Sequence, residues 1–462
     1  MSSIISYGYY FPHYQVADKV LNPNGRKGKH SVSYVDEDII TIAYEAANRC
    51  LENQIVKIDA VFFATTTPVF VNRYHASYLA NALDLGENIM ALDFGATRRA
   101  GTDALMLAHQ LIDAGVHENI LVVASEIDYP EIGEEDKSLF GHAACAFLIG
   151  NKKTNAIGEI KYSRSFSASV AETFSYKGKK IALDSRFSRE AGFKNNMQHC
   201  LELLATDDKA LTSYDTIVLN SHYSKMAGGL FVKAGFNESQ FTRDNITANA
   251  GYTGVCHALL SLIDSLENRR KSILLFDYFN GTNVIAIESN CQEVEDKLQS
   301  CFSSKKEIET YQDYLKLRKA GNFNAGDYQT MEMFSSEMMN EREKDSLLYL
   351  KGYECEKCKT VYFIKSARCK HCKGATFLSK KLQRTGTVYS LTREHYFPSS
   401  FPPITMLVVD LDGGGRVTLQ LTDDMYAEEK KKVFIGSKVK LVWRKMLENG
   451  AKPDYFFKAK AL

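Results

Sequence analysis

Two hydrophobic rhythms alternate along the first 290 positions of this chain. Short unbroken apolar runs, "DAVFFATTT", "ENIMALDF", "NILVVASE" and "CAFLIG", read as buried strands, and "DIITIAYEAANRCLENQ" between them carries apolar residues at helical spacing. After about Gly158 the rhythm recurs with the strand "YDTIVLNSH", the helix "GYTGVCHALLSLIDSLENRR" and the strands "KSILLFDYFNG" and "NVIAIES". Two similar α/β halves follow, with parallel sheets covered by helices as the architecture such alternation implies. From Asn290 to Leu350 the pattern turns charged and helix-forming ("QEVEDKLQS", "KKEIETYQDYLKLRKAG"), which reads as a helical connector. Beyond it, "GTVYSLT", "ITMLVVDL", "GGGRVTLQL", "GSKVKLVWRK" and "DYFFKAKAL" are short β-prone runs broken by glycines, the signature of a small barrel or sandwich.

Composition sharpens this division. The 462 residues exceed one ordinary domain, and 45% hydrophobic with 24% charged residues describes a globular chain with ample core. No apolar run reaches the roughly 18 residues of a membrane-spanning helix, and "MSSIISYGYYFPHY" has neither a basic nor an apolar signal segment. The expectation is a cytoplasmic protein that engages no membrane. A net charge of +1 conceals an asymmetry: residues 351–462 hold 22 Lys and Arg against 11 Asp and Glu, and the rest hold 35 against 45. A basic module on an acidic chain suits an anionic ligand, whether nucleic acid, a phosphorylated cofactor or the acidic part of the chain itself, or else is a solvated surface.

Ten cysteines fall into two groups. Cys50, Cys145, Cys200, Cys256, Cys291 and Cys301 are scattered through mostly apolar runs and read as buried thiols in a reducing compartment. Cys355, Cys358, Cys369 and Cys372 form two CxxC pairs with ten residues between them, the spacing of a structural Zn2+ site with four thiolates. A redox dithiol is the rival reading, but such a pair normally opens a helix, and these sit among lysines and aromatics. Four sulfurs leave no open position for catalysis. A ribbon followed by a barrel with Tyr389, Tyr396, Phe397, Trp443, Tyr455, Phe456 and Phe457 also invites a single-strand-binding reading, against which those aromatics serve as barrel core.

"DFGATRRAGTDAL" places Arg98 and Arg99 where a strand hands over to a helix. Helix N-termini favour anions, so two cations there call for a ligand or for a partner such as Asp103.

In order along the chain, "GYYFPHYQV", "FFATTTP", "LVVASEI", "FGHAACAFLIG", "NSHYSKMAGG", "NITANAGYTGVCHALLSLI" and "LLFDYFNGTNV" resemble the thiolase superfamily, in particular its 3-oxoacyl-ACP synthase III and HMG-CoA synthase branch. The C-terminal part resembles the zinc-ribbon and OB-fold proteins that accompany thiolase-like enzymes as partner subunits. The resemblance implies a duplicated five-layered αβαβα domain over 1–290, a helical connector over 291–350, a zinc ribbon over 351–381 and an OB-type barrel over 382–462. It implies that His222 is the active-site acid/base, with a satisfied core histidine as the plain alternative. Asn249 would complete the oxyanion site, or merely turn a loop. In the same pattern Arg98 occupies the place of the acyl-accepting cysteine, and threonines stand in "ATTTP" where HMG-CoA synthases use a glutamate. Arginine forms no thioester, so a cysteine acyl-enzyme at this position is excluded. Two readings remain. One is an enzyme that makes or breaks a C–C bond beside a CoA thioester without a covalent intermediate, with His222 and Asn249 catalytic and Arg98 and Arg99 binding substrate. The other is a non-catalytic subunit organising a cysteine-bearing thiolase partner. The fold implies a homodimer, the substrate is an acyl-CoA, the zinc is structural, and nucleic acid is not a partner. The basic module is a candidate for holding the phosphates of CoA.

Overall fold

The structure, a computed structural model, describes residues 2–22, 28–135, 139–151, 156–177, 179–206, 211–290, 298–318, 341–396, 399–448 and 453–462. The chain forms two compact units. Met1–Val32, Ala46–Asn81 and Leu85–Glu307 make the first, and Ser33–Glu45, Ala82–Asp84 and Ile308–Leu462 the second.

The first unit is organised by nine strands: β1 (Ser3–Tyr10), β2 (Ala60–Ala64), β3 (Met90–Phe94), β4 (Asn119–Glu126), β5 (Ala143–Gly150), β6 (Gly158–Ser167), β7 (Thr216–Asn220), β8 (Ser272–Tyr278) and β9 (Gly281–Ser289). Their order is β7-β8-β9-β6-β1-β5-β4-β2-β3. The plan is used twice. β2 lies parallel to β4, β4 antiparallel to β5 and β5 antiparallel to β1. Likewise β7 lies parallel to β8, β8 antiparallel to β9 and β9 antiparallel to β6. β3 extends the first half on its outer edge. A short pairing, Ser3↔Glu159 and Ile4↔Gly158, joins the two halves into one continuous sheet that is mixed and not parallel as the sequence rhythm suggested, because each half adds antiparallel strands to its parallel ones. In each half a helix precedes the second parallel strand: Ala100–Asp113 leads to β4 and His257–Glu267 to β8. These helices pack on each other and share one core with strands of both halves. That accounts for the composition of "HALLSLIDSLE", in which almost every residue is buried, because a helix walled in on all sides has no polar face to offer. The runs β2 and β5 are buried at every position, as strands covered on both faces should be.

The second unit contains a three-stranded ribbon, β10 (Lys351–Cys355), β11 (Val361–Tyr362) and β12 (Phe377–Lys381), and a five-stranded sheet of β13 (Thr385–Glu394), β14 (Ile404–Leu411), β15 (Arg416–Gln420), β16 (Lys438–Glu448) and β17 (Pro453–Ala461). The sheet order β15-β14-β13-β16-β17 curls until its two edges meet at the bridge Leu421↔Ala459. This is an OB-type barrel, nearly closed. Alternation along β14 turns Thr405, Leu407, Val409 and Leu411 inward. Trp443 is wholly buried, with Tyr455 stacked on it at 4.7 Å and Tyr44 at 4.9 Å, and Phe457 is buried as well. Tyr389 and Tyr396 point outward, and Phe397 lies outside the described residues.

Part of the barrel's basic charge is answered inside this unit by Ser33–Glu45. Arg444, fully buried, lies 2.9 Å from Glu37, 3.5 Å from Asp36 and 3.7 Å from Asp423. Lys458 pairs with Asp36 at 2.9 Å, Arg384 with Glu45 at 2.6 Å, and Tyr455 donates to Asp38 at 2.6 Å. Burial raises Glu45, and the Arg384 and Arg444 guanidinium groups outweigh it, leaving the carboxyl below its ordinary range.

Of the connector expected over 291–350, residues 291–297 and 319–340 lie outside the described residues. Short helices run at Leu298–Ser303, Tyr311–Leu317 and Lys344–Leu347. Cys50, Cys145, Cys200 and Cys256 are buried free thiols, Cys301 is only half-buried because its helix lies at the edge of the core, and Cys291 is outside the described residues. Among the described residues no helix is long and apolar enough to cross a membrane.

Candidate functional site

The two arginines of "ATRRAG" have opposite fates. Arg99 is buried at the start of the Ala100–Asp113 helix, donating from Nε to Phe279 O (2.9 Å) and from Nη1 to Asn283 Oδ1 (2.6 Å) and Ser165 Oγ (3.3 Å). Asn283 in turn donates to Asp103 Oδ1 at 2.6 Å, so the expected Arg–Asp pair is relayed through an amide. With its guanidinium engaged by three protein groups, Arg99 bolts the turn after β8 in place. Arg98 is half-buried and lies between two rings, its Cζ 5.4 Å from the Tyr252 centroid and 5.3 Å from that of Phe279. Among the described residues no hydrogen bond or ion pair reaches its guanidinium.

Local sequence explains how the two rings are held. Phe279 sits on the turn joining β8 to β9, whose carbonyl Arg99 grips. Tyr252 sits in the "GYTG" turn, where Gly251 and Gly254 both have positive φ, +81° and +55°. A Cβ at Gly251 would run into Phe140 O, and one at Gly254 into the side chain of Glu126, so the tight approach of this turn to its neighbours requires glycine.

His222, just past the end of β7, packs edge-on against the same Tyr252 ring, centroids 4.7 Å apart and planes at 85°. Its Nδ1 is 4.0 Å from Glu172 Oε2, and 41% of its side chain is open to solvent. Burial of the inner edge, then the charge of Arg98 and the neighbouring His257, hold the imidazole down, toward about 4, so it is neutral at pH 7. Burial pushes the Glu172 carboxyl up to about 7 against the opposing pull of Arg98. Glu126, at the end of β4, accepts from Thr66 Oγ1 (2.5 Å) and Thr66 N (3.1 Å), and burial likewise pushes it up to about 7. Beneath them Asp277, receiving Thr102 Oγ1 and Asn220 Nδ2, is raised by burial to about 6.

The structure thus brings Arg98 and His222 together around Tyr252. Asn249 lies on the Asn245–Ala250 helix with its amide donated to Asn245 O at 2.8 Å. The groups that sequence reading did not single out are Glu172, Glu126, Tyr252, Phe279 and Asp277. Tyr252 and Phe279 lie inside motifs that were legible, whereas Glu172 sits in the polar loop "SASVAETFSYKG" with no local signal. Neither cysteine near the site is an evident nucleophile. Cys256 is buried, donates to Ala143 O at 3.2 Å and has its thiol raised well above the ordinary value by burial, and Cys145 is wholly buried.

Glu126 carries a stability prediction. A carboxyl raised in the folded state binds its proton more tightly there, so the fold loses stability as pH climbs from the unfolded value through about 7. Glu126→Gln is neutral throughout and escapes that loss, so its stability relative to wild type should improve by about 2.5 kcal/mol between pH 5 and pH 8, read by urea unfolding. A difference that stays flat across that range contradicts the raised carboxyl.

In the ribbon, Cys355 Sγ and Cys372 Sγ are 3.5 Å apart, as are Cys358 Sγ and Cys369 Sγ, and all four lie within 4.8 Å of one another. A tetrahedral ion with bonds of about 2.3 Å to sulfur needs edges of roughly 3.8 Å, so the four positions could hold a metal ion. The two knuckles are built alike. Lys359 N bonds Cys355 O and Lys373 N bonds Cys369 O, both at 2.9 Å, and both lysines have positive φ.

Comparison with known proteins agrees with this architecture. Residues 379–444 match the family model of the C-terminal OB-fold domain of ChsH2. The hydroxymethylglutaryl-CoA synthase of Methanosphaera stadtmanae is 23% identical over 336 residues, covering 68% of this chain and 96% of that protein. A crystal structure of HMG-CoA synthase complexed with CoA superposes with a TM-score of 0.59 at 18% identity, over 68% of this chain and 90% of that one. The 3-oxoacyl-[acyl-carrier-protein] synthase III of Aquifex aeolicus superposes at 0.52 with 16% identity, over 62% of this chain and all of that one. The fold defines a thiolase-like protein. Its first part is similar in sequence to HMG-CoA synthases and shares its fold with 3-oxoacyl-ACP synthase III, and a ChsH2-type OB-fold domain follows on the same chain.

Proposed function

We propose that this chain is a cytoplasmic acyl-CoA-dependent enzyme that makes or breaks a C–C bond beside the thioester, with no cysteine acyl-enzyme of its own. The observation that carries this is the cluster around Tyr252: a neutral imidazole backed by a carboxyl, beside a guanidinium with no protein acceptor among the described residues. In the cleavage direction His222 takes the proton from a hydroxyl on the carbon β to the thioester. The C–C electrons move onto the thioester as an enolate, whose α-carbon then recovers a proton. Asn249 supplies an oxyanion donor, and Arg98 holds a negative group of the substrate where the resemblance puts the acyl-accepting cysteine. Arg99 acts by holding Phe279 in place. A homodimer is part of this reading.

The test is intact-protein mass spectrometry and CoA-ester turnover on the purified chain with a panel of short acyl-CoAs and their 3-hydroxyacyl counterparts. Turnover without a covalent adduct is the expected result. A stable acyl adduct on this chain overturns the proposal, and acylation confined to a copurifying thiolase makes the chain an organising subunit instead.

The four ribbon cysteines, on this reading, hold one Zn2+ that ties β10 and β12 together and does no chemistry. Elemental analysis should give about one zinc per chain, and Cys369→Ser, which removes a buried ligand, should lower that content and the stability of the ribbon together. Metal-free protein with an unchanged ribbon excludes the assignment.

A further inference from the structure

We propose that Arg98 is the receptor for a free carboxylate on the substrate's acyl group, so that the site takes CoA esters of short dicarboxylic acids in preference to plain acyl-CoAs. This rests on the acyl-CoA reading above.

Three features of the geometry lead there. First, Tyr252 and Phe279 meet the guanidinium with their rings while no described residue accepts from its N–H groups, so the in-plane donors remain for a ligand. The two carboxyls whose charge acts on this half-buried cation make no hydrogen bond or ion pair with it among the described residues: Glu126 is held by Thr66 and Glu172 lies beside His222. Second, the receptor is pre-set. Arg99 fixes the turn bearing Phe279, and the glycine-bounded turn fixes Tyr252, so little ordering is left for binding to accomplish. Third, the fork of a guanidinium matches a planar anion with two oxygens, whereas an enolate presents one. His222 shares the Tyr252 ring with Arg98, which places the carboxylate a few bonds from the carbon that reacts.

The experiment compares glutaryl-CoA, pentanoyl-CoA and free glutarate by isothermal titration on the full chain, in wild type and in Arg98→Gln and Arg98→Lys. The helix and rings around Arg98 do not depend on a hydrogen bond from its guanidinium, and a thermal melt checks that each variant is folded. Wild type is expected to bind glutaryl-CoA about 10- to 100-fold more tightly than pentanoyl-CoA, the value of a charge-assisted pair of hydrogen bonds. Arg98→Gln should erase that ratio by weakening glutaryl-CoA far more than pentanoyl-CoA, and Arg98→Lys should restore part of it. Equal binding of the two esters to wild type, or a preference that survives in Arg98→Gln, overturns the proposal and leaves the acyl-CoA reading standing. Arg98-dependent binding of glutarate with no binding of either ester keeps the receptor and overturns the CoA reading. No binding of any of the three overturns both.

Discussion

Arg444→Ala is expected to cost the second unit about 3–5 kcal/mol, enough to shift its urea transition markedly, while the exposed pair Lys438–Asp412 can be broken by Lys438→Ala for under about 1 kcal/mol. The difference is one of solvent. Arg444 is fully buried, and so are the acidic groups it serves, Asp36, Glu37 and Asp423. Removing the guanidinium leaves several carboxylates facing one another in a medium that screens them poorly, with Lys458 and Lys460 among the groups left to compensate. The carboxylates would recover protons or draw in water, and either course loosens Ser33–Glu45 from the barrel. The Tyr44 ring, held against Trp443 by the same segment, provides the reporter: tryptophan emission should move to the red at denaturant concentrations where wild type is unchanged. A loss below about 1 kcal/mol would mean that the cluster is already hydrated and contributes no more than a surface pair.

That cluster marks the limit of what the sequence discloses. "SYVDEDII" reads as an acidic turn before a helix, and nothing local reveals that its carboxylates meet Arg444 and Lys458 some four hundred positions later. The basic excess of residues 351–462 did point to an anion, and the acidic part of the chain is one that the structure supplies. By contrast "AVFFA", "NILVVASE" and "AACAFLIG" were legible as strands because burial on both faces leaves no polar position to blur the run. The duplication was visible as a recurring rhythm and is realised as the repeated strand plan, although the pairing of β1 with β6 that joins the halves has no sequence signature. The CxxC pairs were legible because backbone geometry fixes a knuckle within a few residues. In the site, His222 and the arginines stood out by residue type and motif. What separates Arg98 from Arg99 did not, because it depends on which guanidinium finds carbonyl and amide acceptors across the fold. Glu172 was invisible for the same reason: its carboxyl matters through burial and its 4.0 Å approach to His222, both products of tertiary structure.

His222→Ala should lower turnover of whichever CoA ester the enzyme uses by about 10²–10⁴, with ester affinity changed only a few-fold, because the imidazole handles a proton and holds little of the ligand. The pH profile separates this role from a structural one. Neutral His222 is present from well below pH 6, since burial and Arg98 keep its proton affinity low, so the imidazole itself imposes no limb near neutrality. Glu172 does, with its carboxyl pushed up to about 7. Below that pH it is protonated and adds nothing to the basicity of the imidazole. Above it, a carboxylate 4.0 Å from Nδ1 favours the imidazolium that forms when His222 takes the substrate proton. Turnover should therefore rise as pH passes through about 7. Glu172→Gln should remove that limb, leaving a lower rate flat across pH 6–8, and combining it with His222→Ala should cost little beyond His222→Ala alone, because the two groups act as a unit. Were the limb to persist in Glu172→Gln, the titrating group would be another, and Glu126, the second carboxyl that burial pushes up to about 7 against the pull of Arg98, would take its place as the proton carrier.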